Sequence, residues 1–130
     1  MFYTSTGILK YTDPDKLILE VDPGISKLYY KLIPLYKKKN RPRWPAHITL
    51  VRTGVEIPIY TQYWKMYEGE KVDFFYENIV RENQMYYWVN VFCVRLEQIR
   101  AELGLSIYSR FTIPPEGFKK CFHITIGNKK

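Results

Sequence analysis

His47-Ile48-Thr49-Leu50 and His123-Ile124-Thr125-Ile126 repeat one four-residue pattern at two places in a chain that contains only two histidines. Each lies in a short run rich in branched and apolar residues, Ala46 to Arg52 and Cys121 to Ile126, and each run reads as a strand. Side chains alternate between the faces of a strand. One face of each run therefore presents an imidazole and a hydroxyl, while Ile48 and Leu50, or Ile124 and Ile126, anchor the other face in a core. The recurrence predicts two pseudo-equivalent halves meeting at a cleft.

The segments around these two strands complete the expected order. Residues 2 to 10 and 16 to 21 read as strands joined across the turn-forming Thr12-Asp13-Pro14-Asp15. Behind Pro23, residues Ile25, Leu28, Tyr29, Leu32 and Ile33 recur at helical spacing, and Pro34 ends that helix before a basic loop, Lys37 to Pro45. A short aromatic helix is expected over Tyr60 to Tyr67, strands over Val72 to Val80 and Met85 to Phe92, and a helix from Val94 to Leu103 that stops at Gly104. Residues 105 to 120 read as a loop. The order ββα, β, α, ββα, β predicts an α+β domain with antiparallel or mixed sheets rather than an alternating parallel one.

With 130 residues, 46% of them apolar and 25% charged, the chain is expected to form one domain over residues 1–130, and disordered, collagenous and disulfide-scaffold classes are set aside. The formal charge of +7 favours anionic partners such as nucleotides or RNA. Aromatic residues reach 17%, more than a core of this size needs, so some are expected to face a ligand or solvent. Cys93 and Cys121 form no CxxC pair or zinc-type cluster and are read as structural thiols of a reducing cytosol. The opening residues MFYTSTGILK show no secretory pattern, and the longest apolar stretch, Met85 to Val94, is broken by Asn90 and too short for a bilayer. No membrane partner is expected.

Paired imidazoles suit a phosphodiester. A neutral imidazole can take a proton while a charged one gives a proton, and threonine hydroxyls can hold the non-bridging oxygens. No metal and no cofactor are expected, since the chain has no glycine-rich phosphate loop and no carboxylate pair at metal spacing. A single His-Thr pair on a strand is more often structural. Two such pairs that use both histidines of the chain favour a catalytic role for His47, Thr49, His123 and Thr125.

The paired motifs, with HITL in the first half of the chain and HITIGN near residue 128, resemble those of the two-histidine (2H) phosphoesterase superfamily. The run YYWVNVFCVRLEQIRAELGL followed by GFKKCFHITIGN is similar to small bacteriophage members, among them the anti-CBASS phosphodiesterases that cleave cyclic oligonucleotide immune signals. The resemblance implies a bilobal, pseudo-symmetric α+β fold with helices packed outside and a central cleft. It also implies a metal-independent reaction in which one histidine deprotonates a ribose 2'-hydroxyl and the other protonates the leaving 5'-oxygen. Which histidine does which stays open at this point.

Strand alternation sets Tyr86, Trp88 and Asn90 on one face and Tyr87, Val89 and Val91 on the core face, which makes Trp88 and Tyr86 candidate base contacts. Trp44, three residues before His47, and Tyr11, at the end of the first strand, are further candidates. Trp64 and Tyr67 read as packing residues, and Arg41, Arg43 and Lys37 to Lys39 as a solvated basic face that steers anions. The expected function is cleavage of cyclic di- or oligonucleotides. Competing readings are a 2',3'-cyclic phosphodiesterase or RNA end-processing enzyme, a non-catalytic nucleotide- or RNA-binding module, and a viral structural protein.

Overall fold

The computed structural model describes residues 2–109 and 112–130. The chain runs β1 (Phe2–Thr12), β2 (Lys16–Val21), α1 (Pro23–Leu32), β3 (His47–Val51), β4 (Lys71–Glu77), β5 (Arg81–Glu82), β6 (Tyr86–Phe92), α2 (Val94–Glu102) and β7 (Phe122–Asn128). The aromatic segment expected as a helix over Tyr60 to Tyr67 holds only a 3-10 turn at Thr61–Tyr63. There the backbone turns at Lys65 with φ 67°, and the Trp64 indole and Lys65 amine are both bound to Asp13.

At eleven residues β1 is long enough to serve two partners. Phe2 to Ile8 pair with β4, and Gly7 to Thr12 pair with β2. Gly7 stands where the two pairings overlap. A Cβ there would lie 2.6 Å from the Glu20 carbonyl oxygen and from the Leu19 side chain, so the crossing requires glycine. All strand pairings are antiparallel, in the order β4-β1-β2-β3-β7-β6, and β4 returns to β6 through Phe75 opposite Phe92 and Tyr76 opposite Val91. Among the described residues β5 pairs with β6 alone.

The fold is thus a closed, six-stranded antiparallel barrel with two short helices. It is not the bilobal, pseudo-symmetric α+β fold with a central cleft that the resemblance implied. The element order is close to the expected one; what overturns the expected fold is closure. Pairing of β4 with β6, and of one long strand with two neighbours, are non-local choices that hydrophobic periodicity does not encode.

Inward-facing Leu9, Leu17, Leu19, Ile48, Leu50, Phe74, Val89, Ile124 and Ile126 fill the barrel, and all are essentially inaccessible to solvent. The helices join the same core through Ile25 and Tyr29 of α1 and Leu96 and Ile99 of α2. Burying each such side chain contributes about 1.5–3 kcal/mol. α1 starts where Asp22 accepts from the Gly24 amide at 2.8 Å, and it stops one residue before Ile33-Pro34. Among the described residues no helix is long and apolar enough to cross a membrane.

Candidate active site

β3 and β7 run antiparallel with Ile48 opposite Ile124. Extending that register by one residue in each direction sets His47 beside Thr125 and Thr49 beside His123. The two motifs therefore interlock, each imidazole next to the other motif's hydroxyl, and the two imidazoles lie on a diagonal of the outer barrel face. Diagonal neighbours in such a pair are about 7–8 Å apart, room for one phosphate between the rings. β6 extends the array, with Trp88 opposite Thr125 and Asn90 opposite His123. A bulge in β7 at Ile126, between the pairings of Tyr87 and Trp88, adjusts the aim of this face.

His47 and Pro45 are joined by a 2.7 Å contact from Nδ1 to the Pro45 carbonyl oxygen. A carbonyl only accepts, so Nδ1 carries a proton, and Nε2 is left for the groove. His123 differs. It is an exposed residue of β7 that lines the groove, with the Trp88 ring beside it. Its pKa is pushed down to about 4 by lost hydration and by the charges of Arg52 and Lys120. Because His123 is exposed in the groove, the lost hydration is discounted, and what stands is the direction: Arg52 and Lys120 both act to keep the imidazole neutral.

All four motif residues line a groove of about 600 Å³ that also takes in Trp44, Tyr86, Trp88, Arg52, Asn128 and Lys130. A second recess of about 330 Å³ shares His47, Thr49, Arg52, His123 and Thr125 and continues to Glu56, Arg100 and Lys120. Antiparallel pairing explains the two ends. Residues before β3 meet residues after β7, giving an end with Trp44, Asn128 and Lys130. Residues after β3 meet residues before β7, giving a cationic end with Arg52 and Lys120. Sequence reading missed both cations, and the direction of that one strand pair is the signal that could have found them.

No family model, curated protein or solved structure matches this chain. The site is therefore read from its own geometry. Among the four candidate base contacts, Trp44 is 65% exposed and lies in the groove wall, with Lys16 and Arg43 near its ring at 5.9 and 5.5 Å. Tyr86 also lines the groove. Trp88 does so half-buried, its ring edge-on to His123 at 5.7 Å and its indole N–H donated to Asn90 at 3.0 Å. Trp88 is thus a wall behind the imidazole. Asn90 itself is buried and bound to Glu77, so it does not open onto the groove.

Tyr11 is not at the site, contrary to expectation. It shares the inward face of β1 with Leu9, sits 7% exposed against Trp64, and burial pushes its hydroxyl pKa up to about 12. Trp64 and Tyr67 pack at the edge of the core, as read from the sequence. Cys93 and Cys121 are buried free thiols, and burial pushes both thiols up, away from the reactive thiolate form.

Helix α2 fixes both motif strands from behind. The Glu97 carboxylate, 5% exposed, accepts the amides of Lys119 and Lys120 at 2.9 and 3.1 Å, just ahead of β7. Arg100, 2% exposed, donates to the Leu50 carbonyl of β3, to the Ser106 carbonyl and to both oxygens of Glu56. On the opposite side, reciprocal backbone bonds between Asn40 and Asn128 at 2.8 and 3.0 Å hold the loop that carries Trp44. Lys39 ties that loop to the Tyr30 and Ile33 carbonyls at the end of α1.

The exposure of Trp44 makes a clear prediction. Losing a base-stacking platform costs about 1–3 kcal/mol of binding. Trp44→Ala is expected to raise KM by about tenfold or more, while stability stays within about 0.5 kcal/mol of the wild type, the usual range for surface changes. Steady-state kinetics and thermal melts check the two halves. An unchanged KM would remove Trp44 from the binding surface.

Proposed function

We propose that the groove is the active site of a metal-independent phosphodiesterase that cleaves 3'–5' linkages of ribonucleotides, with cyclic di- or oligonucleotides as the favoured substrates. The carrying observation is the interlocked register of β3 and β7, which gives both sides of one groove an imidazole and a hydroxyl. The chemistry is that of the two-histidine phosphoesterases which the motifs resemble, carried here on a closed barrel. Buried free thiols are compatible with a cytosolic setting.

The two histidines divide the work by their surroundings. Arg52 and Lys120 favour the neutral form of His123, which is the form a general base needs. His123 takes the proton of the ribose 2'-hydroxyl, the 2'-oxygen forms a bond to phosphorus, and the bond from phosphorus to the 5'-oxygen breaks. His47, entering as the imidazolium with Nδ1–H held by the Pro45 carbonyl, delivers its Nε2 proton to the leaving 5'-oxygen and is left neutral. The products are a 2',3'-cyclic phosphate and a 5'-hydroxyl. Thr49 and Thr125 hydrogen-bond the non-bridging oxygens and keep the attack in line.

A pH–rate profile recorded in excess chelator tests this reading, on a panel of cyclic dinucleotides, linear diribonucleotides and RNA ending in a 2',3'-cyclic phosphate. The kcat/KM profile reports groups of the free protein. The charged neighbours facing His123 are Arg52 and Lys120, with the uncharged Thr49, Trp88 and Asn90 around it. Its acidic limb is therefore expected below the ordinary imidazole value. A bound diester anion opposes those cations, so the acidic limb of kcat should lie higher. Loss of turnover in chelator, restored by a divalent ion, would overturn the mechanism.

A further inference from the structure

The cationic recess beside His123 biases that imidazole towards its neutral form, and the proton transfers described above give it no contact with the substrate. Arg52 and Lys120 line it, and neither has an ion-pair partner among the described residues. Its one carboxylate is already committed. Glu56 accepts from both terminal nitrogens of Arg100 at 3.0 and 2.7 Å and from the Arg52 amide at 3.3 Å. Lys120 is half-buried, and its ammonium is disfavoured by lost hydration and then by the charges of Arg100 and Arg52, with Glu56 offsetting part of this. Arg52, Lys120 and Arg100 together outnumber the single carboxylate of the recess, Glu56, and Lys120 is partly desolvated there while Arg52 stays exposed. An anion bound by Arg52 and Lys120 would balance that excess of positive charge.

We infer that Arg52 and Lys120 form a subsite for a second phosphate of the substrate, one that is not cleaved. Three features support the assignment. The recess is continuous with the groove through the His/Thr quartet and Arg52. Arg52 lies three residues beyond Thr49, on the order of 10 Å along an extended chain, which separates this subsite from the scissile position by about a nucleotide's length. The base-stacking surface of Trp44 is at the opposite end, so a substrate that fills the groove crosses the two imidazoles with a phosphate on the far side. The substrate class this selects is a nucleotide with at least two phosphates, in preference to a mononucleoside 2',3'-cyclic phosphate. The inference rests on the phosphodiesterase reading above.

The test compares a diribonucleoside monophosphate with the same molecule carrying an added terminal phosphate, at its 5' or its 3' end. Charge-assisted hydrogen bonds to a phosphate support a preference of about tenfold or more in kcat/KM for one of the extended substrates. That preference ratio is expected to fall by at least about fivefold in Arg52→Gln and in Lys120→Gln, and to be unchanged in Lys119→Gln, whose side chain lies outside the recess. Each ratio is measured on one protein preparation, so partial misfolding or an altered His123 affects both substrates and cancels. Equal rates on short and extended substrates, or a ratio that survives both substitutions, would overturn the subsite while leaving the phosphodiesterase reading intact. Turnover of a cyclic dinucleotide with cleavage of none of the three would overturn the subsite alone, and turnover of none of the four would overturn both.

Discussion

His47→Ala and His123→Ala are each expected to lower kcat/KM by about 100-fold or more, the scale of a positioned general acid or base. Neither change should unfold the protein, because both side chains face the groove while their neighbours Ile48 and Ile124 carry the burial. The double variant should be little worse than either single one, since an acid and a base that act in one step fail together. Thr49→Ala and Thr125→Ala remove one hydrogen bond each and should cost less than the histidine changes. Kinetics on correctly folded protein, verified by thermal melts, check the set. Near-native activity in either histidine variant would break the acid–base assignment.

Arg100→Ala is expected to be the most destabilising single change outside the apolar core, by about 3–5 kcal/mol. The guanidinium is almost fully buried and makes five jobs of one side chain: two bonds to Glu56, one each to the Leu50 and Ser106 carbonyls, and support of the strand that bears His47. Its removal leaves the buried Leu50 carbonyl without this donor and the Glu56 carboxylate without its counter-charge. A fall in Tm on the order of 10 °C or more follows. Arg100→Lys should rescue little, because one ammonium cannot reproduce the planar fork that reaches Glu56 and two backbone oxygens at once. A melt within a degree or two of wild type would show that the network adds little.

The site was more legible in the sequence than the fold. Alternation alone separates His47 and Thr49 from Ile48 and Leu50, and the structure keeps that split. β2 coincides with the expected Lys16 to Val21, and β6 and both helices lie within a few residues of their expected spans. Local periodicity carries such elements because each reports its own burial pattern. Barrel closure depends on pairings between residues far apart in the chain, Phe75 with Phe92 or Gly7 with both Val21 and Val72, and no local pattern marks them. Tyr11 was misread for a smaller reason. It has the parity of Leu9, and that parity points into the barrel. Arg52 and Lys120 lie just outside the strands, where alternation ends and only the antiparallel pairing of β3 with β7 brings them together.

The central claim is that one phosphodiester sits between both imidazoles. The chain has only two histidines, so their ring ¹H–¹⁵N resonances can be assigned with one variant of each. Titration with a 2'-deoxy dinucleotide, which keeps the diester and lacks the attacking hydroxyl, gives the most direct reading. Both rings are expected to shift together along one saturation curve, and the lowered His123 pKa should rise as the bound anion opposes the Arg52 and Lys120 charges. A ligand that saturates while moving only one ring, or neither, would contradict the account.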